Sequence, residues 1–101
     1  MYGLTDKETA IMDSLFAKTP HLESVILYGS RAKGNYRKYS DVDITLTGNG
    51  LTLSDQFKLE DLLYESDLPY FFDVSILPQI TNPDLIDHIK RRGITIWNKS
   101  R

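Results

Sequence analysis

Three aspartates are the residues of this 101-residue chain whose type and spacing could do chemistry. Asp41 and Asp43 stand one residue apart in Ser40-Asp-Val-Asp-Ile-Thr-Leu-Thr47, and Asp73 is the single acid in Tyr70-Phe-Phe-Asp-Val-Ser-Ile-Leu77. Both segments are rich in β-branched and apolar residues and read as strands. Strand side chains alternate faces, so Asp41 and Asp43 project to one side while Val42, Ile44 and Leu46 project to the other. Like charges held together on a half-buried strand repel, and folding gains nothing from that arrangement. A divalent cation would remove the repulsion, and oxygen-only ligands suit Mg²⁺ or Mn²⁺ rather than zinc. In the second strand Phe72, Val74 and Ile76 share one face, and Asp73 and Ser75 share the other. If the two strands are neighbours, Asp73 completes a three-carboxylate cluster. The alternative is a lone buried aspartate satisfied by structural hydrogen bonds.

Upstream, the apolar run Val25-Ile-Leu-Tyr28 stops at Gly29-Ser30, which reads as a buried strand running into a tight turn. Gly29 lets the backbone approach a ligand closely, Ser30 offers a hydroxyl and an N–H, and the N-terminus of a helix beginning there attracts phosphate. Residues 31–38 carry Arg31, Lys33, Arg37 and Lys38 and no acid. In isolation such a run is a solvated loop. Between a phosphate-type turn and a carboxylate pair, Arg31 and Lys33 become candidates for phosphate contact, whereas Arg37 and Lys38 suit a partner surface equally well. No Gly-Lys-Ser/Thr follows the glycine, so the turn is not a Walker A loop. A phosphate cradle beside a metal-binding carboxylate pair describes a nucleoside-triphosphate site.

The elements that must position these groups are short. Thr5-Asp-Lys-Glu8 is a capping box, and Ile11, Met12, Leu15 and Phe16 predict a first helix to about Lys18, before Pro20. A helical turn through Arg31-Ala-Lys33 ends at Gly34. After the Asp41–Thr47 strand, Gly48-Asn-Gly50 marks a turn, and Thr52 or Ser54 caps a second long helix carrying Phe57, Leu59, Leu62 and Leu63 to near Ser66. Glu60, Asp61 and Glu65 form its solvated face. Asn82-Pro-Asp84 starts a last helix with Leu85, Ile86 and Ile89 on its apolar side, Lys90-Arg-Arg92 at its end and Gly93 as its stop. His21 and His88 read as structural or exposed. Ile94-Thr-Ile-Trp97 is a closing strand.

Length allows one domain, residues 1–101, with one modest core. The net charge of −2 argues against general nucleic-acid binding, which needs a basic face. The absence of cysteine excludes disulfides, thiolate zinc and cysteine nucleophiles. There is no basic-then-apolar leader and no apolar run near the roughly 18 residues that span a membrane. The expectation is a cytoplasmic protein that does not enter membranes.

Taken together, Gly29-Ser30-Arg31, Ser40-Asp41-Val42-Asp43 and Phe72-Asp73-Val74 resemble the nucleotidyltransferases of the DNA polymerase beta superfamily. More narrowly, they resemble the minimal nucleotidyltransferase (MNT) domains of bacteria and archaea. An Asp-x-Asp alone is weak, since metal-dependent glycosyltransferases use one; Gly-Ser-Arg at this spacing ahead of it makes the signal specific. The resemblance covers nearly the whole chain. It implies an α/β (α+β) fold: a small mixed β-sheet with helices on one face, a polymerase-beta-like palm core, and nucleotide on the other face. It implies transfer of AMP from ATP to an acceptor hydroxyl, with Asp41, Asp43 and Asp73 as catalytic metal ligands for Mg²⁺. Gly29 and Ser30 would then hold the β- and γ-phosphates.

The resemblance also implies a small helical partner encoded nearby. The leading form is a HEPN-type toxin that this chain adenylylates as its antitoxin. The others are a substrate-binding subunit of a two-subunit transferase for a small molecule, or a partner silenced by non-catalytic binding. Related transferases hold the acceptor with a second domain, and this chain stops at Arg101 soon after its expected last strand. The acceptor is therefore expected from the partner, with Tyr36, Tyr39, Tyr70 and Trp97 as contacts.

Overall fold

The computed structural model describes residues 1–99. The capping box closes as the pattern predicts: Thr5 Oγ1 accepts from the Glu8 N–H, Glu8 Oε1 accepts from the Thr5 N–H, and α1 runs Asp6–Ala17. The strand β1 is Ser24–Tyr28, and a four-residue helix α2, Ser30–Lys33, follows it directly. β2 is Val42–Thr47, and α3 is Leu53–Glu65, capped by Thr52 in a second capping box with Asp55. β3 is Phe72–Ile76, followed by a 3₁₀ turn at Leu77–Gln79. α4, Pro83–Arg92, starts on the Asn82 side chain, which accepts from the Asp84 and Leu85 N–H groups, and β4 is Ile94–Asn98.

The four strands form one mixed sheet in the order β3-β2-β1-β4. β1 runs antiparallel to both β2 and β4, while β2 and β3 are parallel, joined through α3. One face carries the core. Met12, Leu15 and Phe16 of α1 and Leu59 and Leu63 of α3 pack on Val25, Leu27, Val42, Ile44, Leu46 and Val74. Burying each such side chain stabilises by about 1.5–3 kcal/mol, so alternation along β1 and β2 is strongly held in register.

α4 does not join that face. Gly93, just past its end, lies so close to the sheet that a Cβ there would come within 2.8 Å of Ile26 Cγ2. Ile26 and Tyr28 alternate with the core residues Val25 and Leu27, so α4 docks over β1 on the second face. The expected helix-covered face is that of α1 and α3; the expectation of helices on one face alone is corrected by α4, which lies on the other.

Several side-chain expectations change. Phe57 is 56% exposed and belongs to no core contact of α3. Trp97 is half-buried and tilts against Phe16, ring centroids 6.0 Å apart. Tyr36 and Tyr70 are half-buried against Arg31, and of the four proposed contact residues Tyr39 is the exposed one. Tyr64 and Phe71, which the pattern did not single out, are 91% and 75% exposed. His21 pairs with Asp55 at 3.0 Å, which ties the entry of β1 to the start of α3. Among the described residues, no helix is long and apolar enough to cross a membrane.

Candidate active site

The site grows from the last residue of β1. Strand register sets Tyr28 beside Asp43, and Asp43 beside Asp73, across three adjacent strands. By strand parity all three project from the second face, opposite Val42, Ile44 and Val74. Asp73 is exposed, Asp43 is half-buried, and Asp41 is exposed on the lead-in to β2. The strand of Asp73 is the parallel neighbour of β2, which sets Asp73 beside Asp43.

Gly29 then turns the chain. Its φ of 74° and ψ of −154° lie in a region essentially reserved for glycine. There is a second reason for glycine here: a Cβ would fall 2.2 Å from Asp43 Oδ2, so the carboxylate packs directly against the turn. The turn and the carboxylate are thus one unit, although they lie far apart in the chain.

The charges are crowded. The Asp43 carboxyl is raised from 3.8 to about 6, first by burial, then by the negative charges of Asp73 and Asp41, with Arg31 opposing. Tyr28 is also pushed above the usual tyrosine value by burial, and the charges of Asp73 and Asp43 act in the same direction, while a hydrogen bond with Ser75 opposes them. Ser75 in turn donates to Thr45 Oγ1 at 2.9 Å. Among the described residues no three His, Cys, Asp or Glu side chains are already gathered where they could hold a metal ion. The donor chemistry does fit a hard divalent cation: oxygen donors only, with two carboxylates in register and mutual repulsion that a cation would relieve.

Arg31 is a correction. It is 1% exposed. Its guanidinium donates to the backbone carbonyls of Tyr2 (2.9 Å) and Ser40 (2.8 Å from Nη2, 3.2 Å from Nε), and it stacks on Tyr70 at 4.7 Å and on Tyr36 at 5.4 Å. A guanidinium spent on carbonyls and ring faces holds the 31–40 loop to the N-terminus; it does not reach a phosphate. Its charge still acts on the site by favouring ionised Asp43. Lys33 is exposed at the end of α2 and remains a cation beside the turn.

The Gly29 N–H is also accounted for. It donates to His88 Nε2 at 3.1 Å, and the His88 ring stands edge-on to Tyr28, centroids 6.2 Å apart at 74°. Of the two amides assigned to phosphate, the one on Gly29 is therefore taken by α4, which leaves that assignment with Ser30. Sequence reading missed both His88 and Tyr28. Tyr28 had a usable signal, since strand parity from Asp43 across a short turn puts it on the same face. His88 had none, because its partner lies 59 residues away.

A family model described as Polymerase beta, Nucleotidyltransferase matches residues 12–101. The Haemophilus influenzae protein described as "probable protein adenylyltransferase MntA" is 27% identical over 99 residues, spanning 97% of this chain and 86% of that protein. A crystal structure of a toxin–antitoxin with AMP-PNP contains a chain of TM-score 0.71 at 22% identity, covering 90% of this chain and 73% of that one. The structure of tri-AMPylated Shewanella oneidensis HEPN toxin in complex with MNT antitoxin contains another, TM-score 0.58 at 20% identity, covering 91% and 71%. At these identities the two solved structures speak to the fold.

Proposed function

The chain belongs to the Polymerase beta, Nucleotidyltransferase family, and from that premise we propose that it moves AMP from ATP onto a hydroxyl of a HEPN-type toxin, as that toxin's antitoxin. Residues 1–101 act as one minimal catalytic domain. The observation that carries the reading is the register pair Asp43–Asp73 with Gly29 packed against Asp43. It joins the phosphate turn to the carboxylates at the one place where both touch. The family activity and the relatives' descriptions, a protein adenylyltransferase and a toxin–antitoxin with AMP-PNP, support the nucleotide and the acceptor class.

Asp41, Asp43 and Asp73 would hold a divalent cation, Mg²⁺ or Mn²⁺, which when bound supplies neutralisation of triphosphate charge and a lower acceptor pKa. The chain's own residues do the rest by placement. The Ser30 hydroxyl and N–H hold the β- and γ-phosphates, with Lys33 as a neighbouring positive charge. Asp73, exposed on its strand, would serve the acceptor side. The acceptor oxygen bonds to the α-phosphorus as the bond to the β-phosphate oxygen breaks; pyrophosphate leaves and the hydroxyl proton passes to solvent. Orientation of the acceptor is worth several kcal/mol of barrier, so the hydroxyl is best delivered by a bound partner.

The test is incubation of the purified chain with α-labelled ATP and Mg²⁺, with and without the product of the adjacent gene. Label on a hydroxyl of that helical protein, with loss of its toxicity, is the expected result. Efficient transfer to a free small molecule, or silencing of the partner by an Asp43→Asn variant as complete as by wild type, would overturn the reading.

A further inference from the structure

We propose that His88 is a positioning residue of the nucleotide site: it fixes the Gly29–Ser30 turn by accepting the Gly29 N–H, and through that turn it sets Ser30 and Asp43. The inference deepens the proposed function and rests on it for the identity of the ligand, though not for the geometry.

Asp43 packs on one side of the turn and the enclosed Arg31 anchors the helix after it, but neither bonds the Gly29 backbone. Gly29 sits at φ 74°, where a glycine is free to move to other conformations at low cost, and the helix that follows is only four residues long. Its carbonyl accepts from the Lys33 N–H at 3.1 Å, inside the turn. Among the described residues, the hydrogen bond of Gly29 that reaches outside the turn is the one from its N–H to His88 Nε2. A nitrogen that accepts carries no proton, so this bond requires the ring proton on Nδ1. His88 is itself fixed: it is edge-on to Tyr28, next to buried Ile89, and five residues ahead of Gly93, where the chain passes close to Ile26. Thus α4 carries an acceptor to the end of β1 and holds it there.

Histidine meets two needs at once. A leucine would pack on Tyr28 but leave the N–H without an acceptor, and a lysine or arginine has only donors. A glutamine keeps an acceptor at about the same reach without the ring. If His88 served packing alone, leucine would be the better mimic; if it positions the turn, glutamine would be. Loss of the acceptor would let Gly29 relax, moving Ser30 and the backbone against which Asp43 Oδ2 rests. A lost net hydrogen bond of this kind weakens ligand binding about tenfold.

The experiment uses the full chain with His88→Leu and His88→Gln. In metal-free protein, amide exchange at Gly29 and the ring-nitrogen spectrum of His88 are read by NMR; the KM for ATP–Mg²⁺ and kcat are then measured on the partner. In wild type the Gly29 amide is protected and Nδ1 carries the ring proton. In His88→Leu, exchange at Gly29 and KM for ATP each rise about tenfold; His88→Gln restores both. Unchanged Gly29 protection in His88→Leu overturns the proposal, and so does a folded His88→Gln that behaves like His88→Leu. If His88→Leu does not fold, His88→Gln decides against wild type: wild-type Gly29 protection and KM for ATP are expected, and a loss of either overturns the proposal. If wild type transfers no AMP to any protein, yet Gly29 exchange follows the acceptor at position 88, the functional reading falls and the positioning role stands.

Discussion

Asp43→Asn should stabilise the metal-free protein at neutral pH, and the size of the effect follows from the crowding on β2 and β3. An unfolded chain releases the Asp43 proton near 3.8, whereas the folded protein holds it until about 6. The folded state therefore binds this proton more tightly. The stability it contributes is complete below about pH 4 and is lost as pH rises through 6. At full weight a rise of this size corresponds to about 3 kcal/mol. Asp43 is only half-buried, so screening by water reduces this to about 1–2 kcal/mol. In a chain of this length 1 kcal/mol moves the melting temperature by about 4–8 °C. Melts in chelator should therefore place Asp43→Asn above wild type by roughly 5–10 °C at pH 7.5, with the gap closing toward pH 4. Adding Mg²⁺ should raise wild type, as for any ligand that binds only the folded state, and leave the variant nearly unmoved. A variant that melts below wild type in chelator, or a gap independent of pH, would refute this. Asp43 would then be a structural acceptor rather than a strained ligand.

Other substitutions separate placement from structure. Asp41→Asn and Asp73→Asn should each bring AMP transfer to background while leaving a folded domain, as measured by labelled transfer and melting; activity retained by either would remove it from the metal set. Gly29→Ala should cost about 1–3 kcal/mol from backbone conformation alone, and it should abolish transfer because its Cβ occupies the place of Asp43 Oδ2. Arg31→Lys should lower stability by about 2–4 kcal/mol, since the carbonyls of Tyr2, Lys38 and Ser40 lose charge-assisted bonds that a lysine cannot replace in number. If it melts like wild type but weakens ATP binding, the phosphate role returns to Arg31.

What was legible in the sequence, and what was not, follows the range of the interaction that decides each residue. Asp41, Asp43, Gly29 and Ser30 declare themselves through neighbours in the chain: strand alternation sorts the carboxylates from Val42 and Ile44, and a glycine after an apolar run marks the turn. Asp73 needed one topological step, the parallel return of β3 beside β2 through α3, and helical spacing over residues 52–66 made that crossover a natural one. Phe57 was readable and misassigned: two residues from Leu59 it lies about 200° round the helix, so both cannot face the core. Arg31 and His88 are a different case. A basic residue after Gly-Ser looks like a phosphate ligand until Tyr2, Tyr36 and Tyr70 enclose it, and a mid-helix histidine looks idle until α4 folds back over β1. In both, the deciding partner is supplied by tertiary packing, and in both it changes which group is left for the nucleotide. With Arg31 enclosed and the Gly29 N–H engaged, the proposed phosphate contacts narrow to Ser30 and Lys33.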